Sequence, residues 1–229
     1  MRVVVTGANR GLGMGLARAY AARGDEVWAT ARKPSEATEL QALSRDSGGK
    51  VHVHELDVRS DDQARALAAA IGDAAVDVLV NNAGVSGKWS TSLQTFDADE
   101  ALRCFDVNAL GAIRVARALL PNLRASRGKI VNMTSLMGSI ADNSSGRGYA
   151  YRMSKAALNM ATRNIAYEVR GFGGIALALH PGWVKTEMGG EGAPEEIPDA
   201  VARIIAAIER ASAESSGTFW HAKGNELPW

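Results

Sequence analysis

The chain has 229 residues, 46% of them hydrophobic, with 26 Lys+Arg against 25 Asp+Glu; this is material for one full core, and one α/β domain over residues 1–229 is the simplest organisation. A formal net charge of +1 gives no electrostatic reason to expect nucleic acid or an anionic membrane as a partner, and the lone Cys104 excludes a disulfide framework or a cysteine-rich zinc site, which fits a reducing, cytoplasmic setting. No run reaches the roughly eighteen apolar residues of a membrane span, and the first, residues 3–5, is broken by Thr6, Gly7, Asn9 and Arg10 before it could serve as a signal-peptide core.

Short branched runs alternate with amphipathic stretches along the whole chain, the beat of successive βαβ units around a mainly parallel sheet. The first strand is expected at 3–6, followed by a helical face of Leu12, Leu16, Ala19 and Tyr20 that closes at Gly24. Strands follow at 27–31 and at 51–56, where Ser60 and Gln63 stand at capping-box spacing ahead of a helix that includes the alanine-rich stretch 64–71. A fourth strand at 76–80 leads to a long helix over about 97–120, opened by Asp97 and Glu100 and with Pro121 beyond its end. The fifth strand is 129–133, a helix runs over about 151–170, and the sixth and seventh strands fall at 175–179 and near 218–221. The fold class is therefore a single-domain, doubly wound α/β sheet of the Rossmann type, about seven strands flanked by helices. Segments 85–95, 138–148 and 185–197 lack periodicity and follow strand ends, where such a sheet binds its ligands.

The stretch Thr6-Gly7-Ala8-Asn9-Arg10-Gly11-Leu12-Gly13 lies between the first strand and first helix, where a tight glycine turn aims free amides at a pyrophosphate. Its glycine spacing is not the commonest G-x-G-x-x-G, and an ordinary βα turn is the alternative. At the end of the second strand, where an NAD site would place a carboxylate for the ribose, the sequence reads Ala31-Arg32-Lys33. Arg32 and Arg10 suit a 2′-phosphate, so NADP(H) is favoured over NAD(H), unless both arginines are simply solvated. Asp57, followed by Val58 at the end of the third strand, is placed to face an adenine amino group or merely to open a helix.

Tyr151 and Lys155 stand four apart at the start of an amphipathic helix and project from one face. A cation there is expected to lower the phenol from its ordinary pKa of about 10, tuning it to exchange a proton with a carbonyl or alcohol oxygen. A Tyr-x-x-x-Lys alone is common by chance, but Asn81-Asn82-Ala83-Gly84 closes the fourth strand, Asn108 sits in the long helix, Ser135 follows the fifth strand and Pro181-Gly182 follows the sixth.

That ordered combination resembles the short-chain dehydrogenase/reductase family across essentially the whole chain. The stretches Leu136-Met137-Gly138-Ser139-Ile140 and Tyr149-Ala150-Tyr151-Arg152-Met153-Ser154-Lys155 look like its sniffer or C-factor-like carbonyl reductase branch. The resemblance implies a tetrad. Ser135 would polarise the carbonyl oxygen and Tyr151 would deliver the proton. Lys155 would tune Tyr151 and bind the nicotinamide ribose, and Asn108, through a helix irregularity and a water, would connect Lys155 to solvent. It also places Pro181, Gly182, Val184 and Thr186 at the nicotinamide end, and Asn81, Ala83 and Gly84 on the adenosine side. Ser135 precedes Tyr151 by more positions than many members allow, so residues 143–148 are expected to bulge, and Ser139 is a rival for the serine role. Tyr149 has Met153 four residues on and is not the matched phenol.

His52 and His54 share a strand face without a third ligand in register, so no metal is expected, and Cys104 reads as an inert buried thiol. Trp89, Trp183 and Met188 either line an apolar substrate pocket or pack as core or lid. The leading reading is an NADP(H)-dependent oxidoreductase that reduces an aldehyde or ketone. Its rivals are a dinucleotide-binding sensor or signalling protein with little turnover, and a sugar-nucleotide epimerase, for which 229 residues leave little room. The helices near Asn108 and Tyr151 have apolar outer positions, and the family resemblance implies assembly through them as a dimer or tetramer, with a monomer as the alternative.

Overall fold

The computed structural model describes residues 1–89 and 92–229. Its strands are β1 (Arg2–Val5), β2 (Glu26–Ala31), β3 (Val51–Glu55), β4 (Val78–Asn81), β5 (Lys129–Met133), β6 (Ile175–His180) and β7 (Phe219–His221). They form one sheet in the order β3-β2-β1-β4-β5-β6-β7, and every pair is parallel. Neighbouring connections leave β1 in opposite directions, so a crevice opens at the carboxyl ends of β1 and β4.

Both faces of the sheet are covered, which is why its strands read as unbroken apolar runs. Val3 and Val5 point into one core with Leu16 and Tyr20 of α1 (Gly11–Ala22) and Ile204 and Ile208 of α8 (Ile197–Arg210), a layer that also takes Leu40 of α2 (Thr38–Asp46). Val4, between them, points the other way. It joins Leu67 of α3 (Asp61–Ile71), Val115 of α5 (Gly111–Ala118), Leu123 of α6 (Leu120–Ser126) and Val169 of α7 (Tyr149–Val169).

Several predicted signals act as the sequence suggests. Ser60 Oγ accepts from Gln63 N at 3.2 Å and Asp97 Oδ1 from Glu100 N at 3.0 Å. The reciprocal half of each box is absent, because Gln63 Oε1 accepts from Asp57 N and Glu100 is drawn to Arg103 and to the amide of Lys88. The long helix expected over 97–120 is not continuous. It consists of α4 (Ala98–Phe105), a π-helical turn at Asp106–Leu110 and α5, and Pro121 sits in the first turn of α6 rather than beyond a helix end. Proline lacks only an amide that has no partner in a first turn, so it starts a helix as readily as it stops one. The last predicted helix begins at Tyr149, two residues early.

Of the three aperiodic segments, the first holds a short 3-10 turn at Leu93–Thr95, and Ser90 and Thr91 within it lie outside the described residues. The second crosses from Ser139 to Gly148 and ends in three successive left-handed residues, Gly146, Arg147 and Gly148. The third folds back on itself where Val184 pairs with Glu195. No helix among the described residues is long and apolar enough to cross a membrane.

Candidate active site

Because all seven strands run the same way, the residues that follow β1, β2, β3, β4, β5 and β6 emerge along one edge of the sheet. Gly7 there has φ of +64°, open to glycine at little cost, and a Cβ added to it would lie 2.9 Å from Ala83 Cα. A Cβ on Gly13 would meet Asn82 Nδ2 at 2.6 Å. The turn is thus a backbone cradle that side chains would fill. α1 begins inside it, with Arg10 as an uncapping residue and no acidic residue in the first turn, so the amides of Gly11, Leu12 and Gly13 are left to an anion. A dinucleotide pyrophosphate fits this cradle.

Asn82, a residue with no role expected from sequence, fixes the turn. Its Nδ2 donates to the carbonyls of Thr6 and Gly7 at 2.9 and 3.1 Å, while Thr6 Oγ1 accepts from the amides of Asn82 and Ala83. Asn81 faces inward instead. It is buried and donates to Asn132 Oδ1 at 2.8 Å, so only its backbone is available to a cofactor.

Of the residues expected near the phosphates and adenosine, Asn9, Arg10 and Arg32 are exposed. Arg32 forms no ion pair among the described residues, whereas Arg10 pairs with Glu187 from the loop after β6. The Asp57 carboxylate is held by Arg59, with Nη2 at 2.6 Å, and that bond keeps its pKa below the usual range; any adenine contact has to share it. Val58 is buried against Gly111 at the start of α5 rather than open to the groove.

The residues expected to carry the chemistry come together beyond the ends of β4 and β5. Ser135 opens a 3-10 turn (Leu136–Gly138) and its Oγ accepts from Met137 N at 3.2 Å. Lys155 and Asn159 of α7 pack under that turn: a Cβ on Gly138 would sit 2.8 Å from the Lys155 backbone, and Asn159 Nδ2 donates to Gly138 O. Lys155 Nζ lies 5.7 Å from the Tyr151 ring centroid and donates to Met133 O at 2.8 Å. Asn108, on the π-helical turn, clamps the backbone of Val85 through two 2.8 Å bonds and donates to Ser154 Oγ, whose hydroxyl donates to Tyr151 O. Its Oδ1 and Lys155 Nζ both face Gly84, at 3.2 and 3.6 Å from where a Cβ would be. The expected helix irregularity and the four residues thus share one small region.

One expectation is reversed. Burial raises the Tyr151 phenol above its ordinary pKa, with Ser135 pulling the other way by hydrogen bonding, and burial pushes the Lys155 ammonium down to about 8. Lys155 Nζ lies beside the ring, but its charge is not among the causes of the Tyr151 shift, which burial dominates. The phenol therefore stays protonated at neutral pH.

Ser139 has other work. It is 2% exposed, donates to the main-chain oxygen of Trp229 at 3.1 Å and accepts from Asp142 N at 3.0 Å. That same Trp229 oxygen accepts from the amides of Ile140 and Ala141, and the Trp229 ring stacks on Phe219 of β7. Arg152 secures the rest of the loop by donating to Gly146 O and Ser145 Oγ. The contacts with Trp229 join segments far apart in the chain, so no local pattern announced them.

Of the residues expected at the nicotinamide, Gly182 lies against the Glu195 carboxylate and Val184 is buried. Thr186 Oγ1 accepts from Gly189 N, and its methyl reaches to 3.5 Å from a Cβ on Gly11. Trp89, Trp183 and Met188 are each about half exposed. Trp89 packs over Gly148 and borders a cavity of about 90 Å³ with Lys88, Thr95, Asp97, Glu100 and Ala150; Tyr149 turns away to meet Phe96 edge-on. Cys104 is fully buried and burial raises its thiol pKa. His52 stacks on Trp28, and His54 Nδ1 is bonded to Glu55 O.

Comparison with known proteins agrees with this geometry. The C-signal protein of Myxococcus xanthus is 46% identical over 166 residues, which cover 72% of this chain and 99% of that one. The carbonyl reductase Sniffer of D. melanogaster superposes with a TM-score of 0.93 at 33% identity, covering 100% of this chain and 99% of its own. A carbonyl reductase from chicken fatty liver, solved with NADPH bound, gives a TM-score of 0.93 at 31% identity, with 100% and 98% covered. The family model for short chain dehydrogenases matches residues 1–196. With that match spanning most of the chain, and the glycine cradle, Ser135, Tyr151 and Lys155 gathered on one sheet edge, the protein belongs to the short-chain dehydrogenase family.

Proposed function

We propose that the protein reduces an aldehyde or ketone with NADPH, residues 1–229 acting as one dinucleotide-binding and catalytic domain. The observation that carries this reading is the convergence of Ser135, Tyr151 and Lys155 beside the glycine cradle. When bound, the nicotinamide supplies the hydride. Ser135 Oγ donates to the carbonyl oxygen and polarises it. Tyr151, kept protonated by burial, hands its proton to the same oxygen as negative charge develops there. Lys155 opposes the charge left on the phenol and offers its free protons to the nicotinamide ribose hydroxyls. The widened π turn at Asn108 leaves room for a water that connects Lys155 to solvent. Gly7, Asn9, Gly11, Leu12 and Gly13 hold the pyrophosphate side, Arg10 and Arg32 the 2′-phosphate, and Pro181, Gly182, Val184 and Thr186 the nicotinamide.

The likeness to C-signal favours keeping a second reading, a dinucleotide-binding signalling protein with little turnover. NADPH consumption against a panel of small aldehydes, ketones and quinones separates the two. Turnover with any member supports the reductase; NADPH binding without oxidation of the coenzyme on any of them supports the signalling protein and sinks the reductase. We also propose that two copies pair through the helices around the site, where Leu102, Phe105 and Ile113 lie exposed and Met153, Met160 and Tyr167 form a stripe seven residues apart on α7. The chain's near-neutral charge and its single buried thiol suit a cytoplasmic protein acting on small molecules rather than on nucleic acid or membrane.

A further inference from the structure

The loop that leaves β6 does more than reach the nicotinamide side. It returns over the glycine turn, where the Thr186 methyl approaches Gly11 and the next residue, Glu187, places its carboxylate on the Arg10 guanidinium. The two residues are 177 positions apart, and their side chains are 63% and 69% exposed. Arg10 has no other ion-pair partner among the described residues. At the neighbouring strand end, Arg32 forms no ion pair among the described residues. The two cations proposed to meet a 2′-phosphate are therefore unequal: Arg32 is ready for an anion, and Arg10 already has one.

We propose that Glu187 is a specificity-determining residue, its carboxylate competing with the 2′-phosphate of NADPH for Arg10. This rests on the reading of Arg10 as a phosphate partner. A guanidinium fork occupied by a carboxylate has to be released before it can take a phosphate in the same geometry. If it is not released, a carboxylate stands beside a phosphate that carries nearly two charges. Either way NADPH loses affinity. NADH presents only a 2′-hydroxyl there and makes no demand on Arg10, so it is indifferent to Glu187. Coenzyme preference is then set by two loops: the one after β2 attracts the phosphate, and the one after β6 limits how tightly it is held. Exposed ion pairs are weak and screened by salt, so releasing Arg10 is worth about a twofold to fivefold gain in affinity at low ionic strength.

The test is titration of NADPH and NADH, at low salt, against wild type, Glu187→Ala, Arg10→Met and the double variant. Both positions are exposed, so the fold is not at risk from either change. Glu187→Ala is expected to tighten NADPH about twofold to fivefold and leave NADH unchanged, while Arg10→Met weakens NADPH about tenfold and removes the gain from Glu187→Ala. Equal tightening of both coenzymes would show that Glu187 merely holds the loop closed and would overturn the proposal. So would an unchanged NADPH affinity in Glu187→Ala, or a gain that survives in the Arg10→Met background. If Arg10→Met leaves NADPH affinity intact, the phosphate reading of Arg10 falls and the competition with it; a normal Arg10 effect without a Glu187 gain removes the competition alone.

Discussion

Ser135 and Ser139 lie four residues apart after the same strand, and their single alanine variants are expected to fail in opposite ways. The Ser139 hydroxyl makes two bonds, to Trp229 O and from Asp142 N. Removing it leaves no buried group without a partner, since Trp229 O keeps the amides of Ile140 and Ala141 and the exposed Asp142 amide turns to water. The loss is then the net value of two ordinary hydrogen bonds, about 1–2 kcal/mol, or a fall in Tm of roughly 2–8 °C for a chain of this length. Turnover at temperatures below the transition is expected to change by less than about threefold, because nothing that touches the carbonyl has gone. Ser135→Ala deletes the donor beside the Tyr151 phenol and only the acceptor of one turn amide. Its stability cost is about 1 kcal/mol or less, while hydride transfer is expected to slow by about a hundredfold or more. Thermal unfolding, NADPH titration and single-turnover hydride transfer on any active carbonyl measure the three quantities. A larger loss of single-turnover rate in Ser139→Ala than in Ser135→Ala would refute the assignment of the two serines.

Tyr151→Phe keeps the ring and deletes the transferable proton, so turnover is expected to fall by about a hundredfold to ten-thousandfold with NADPH affinity nearly unchanged, and Lys155→Ala to harm both; a Phe variant that retains most of its rate would exclude Tyr151 as the acid. Replacing Ala31 with Asp and Arg32 with Ser supplies a 2′-hydroxyl acceptor and repels phosphate, so titration of both coenzymes is expected to show the preference turning from NADPH to NADH; an unchanged order would make Arg32 an ordinary solvated side chain. Burial, followed by its neighbour His221, pushes His180 down from 6.5 to about 4. In that window the unfolded chain binds a proton that the native one refuses, so stability is expected to be full above about pH 6.5 and to fall as pH drops toward 4. Denaturant unfolding across that range should show a flatter acid limb in His180→Phe, and an identical slope in both proteins would dismiss His180 as a contributor.

Much of this architecture follows from patterns with a short reach. The apolar runs at the centres of β1, β4 and β5 are placed by burial on both faces, and Ser60 and Asp97 cap their helices because a capping side chain acts within three residues. The glycines at 7 and 13 announce a close backbone approach that the chain does make. Other features depend on what arrives from elsewhere. The π turn at Asp106–Leu110 leaves the amphipathic pattern around it intact, so the periodicity reads through it as one helix. The pairing of Arg10 with Glu187 joins residues with no local relation. The sign of the Tyr151 shift could not be read from a four-residue spacing, because it is set first by burial and then by a hydrogen bond from Ser135 and the charge of Cys104, none of them local to the helix turn that carries the phenol.

The brace at Trp229 bears on the order in which the molecule is completed during synthesis. The cradle from Thr6 to Gly84 is local to the first part of the chain, whereas the loop that follows Ser135 is tied to a residue made 90 positions after Ser139. A domain folds as a unit, and α1 of the cradle shares its core with Ile204 and Ile208 of α8, so a nascent chain has neither a firm grip on a dinucleotide nor a fixed wall beside the phenol until α8 and Trp229 have been made. Pulsed amide exchange during refolding is expected to show Ile140 and Ala141 gaining protection together with β7; earlier protection of those two amides would mean the loop sets without its brace.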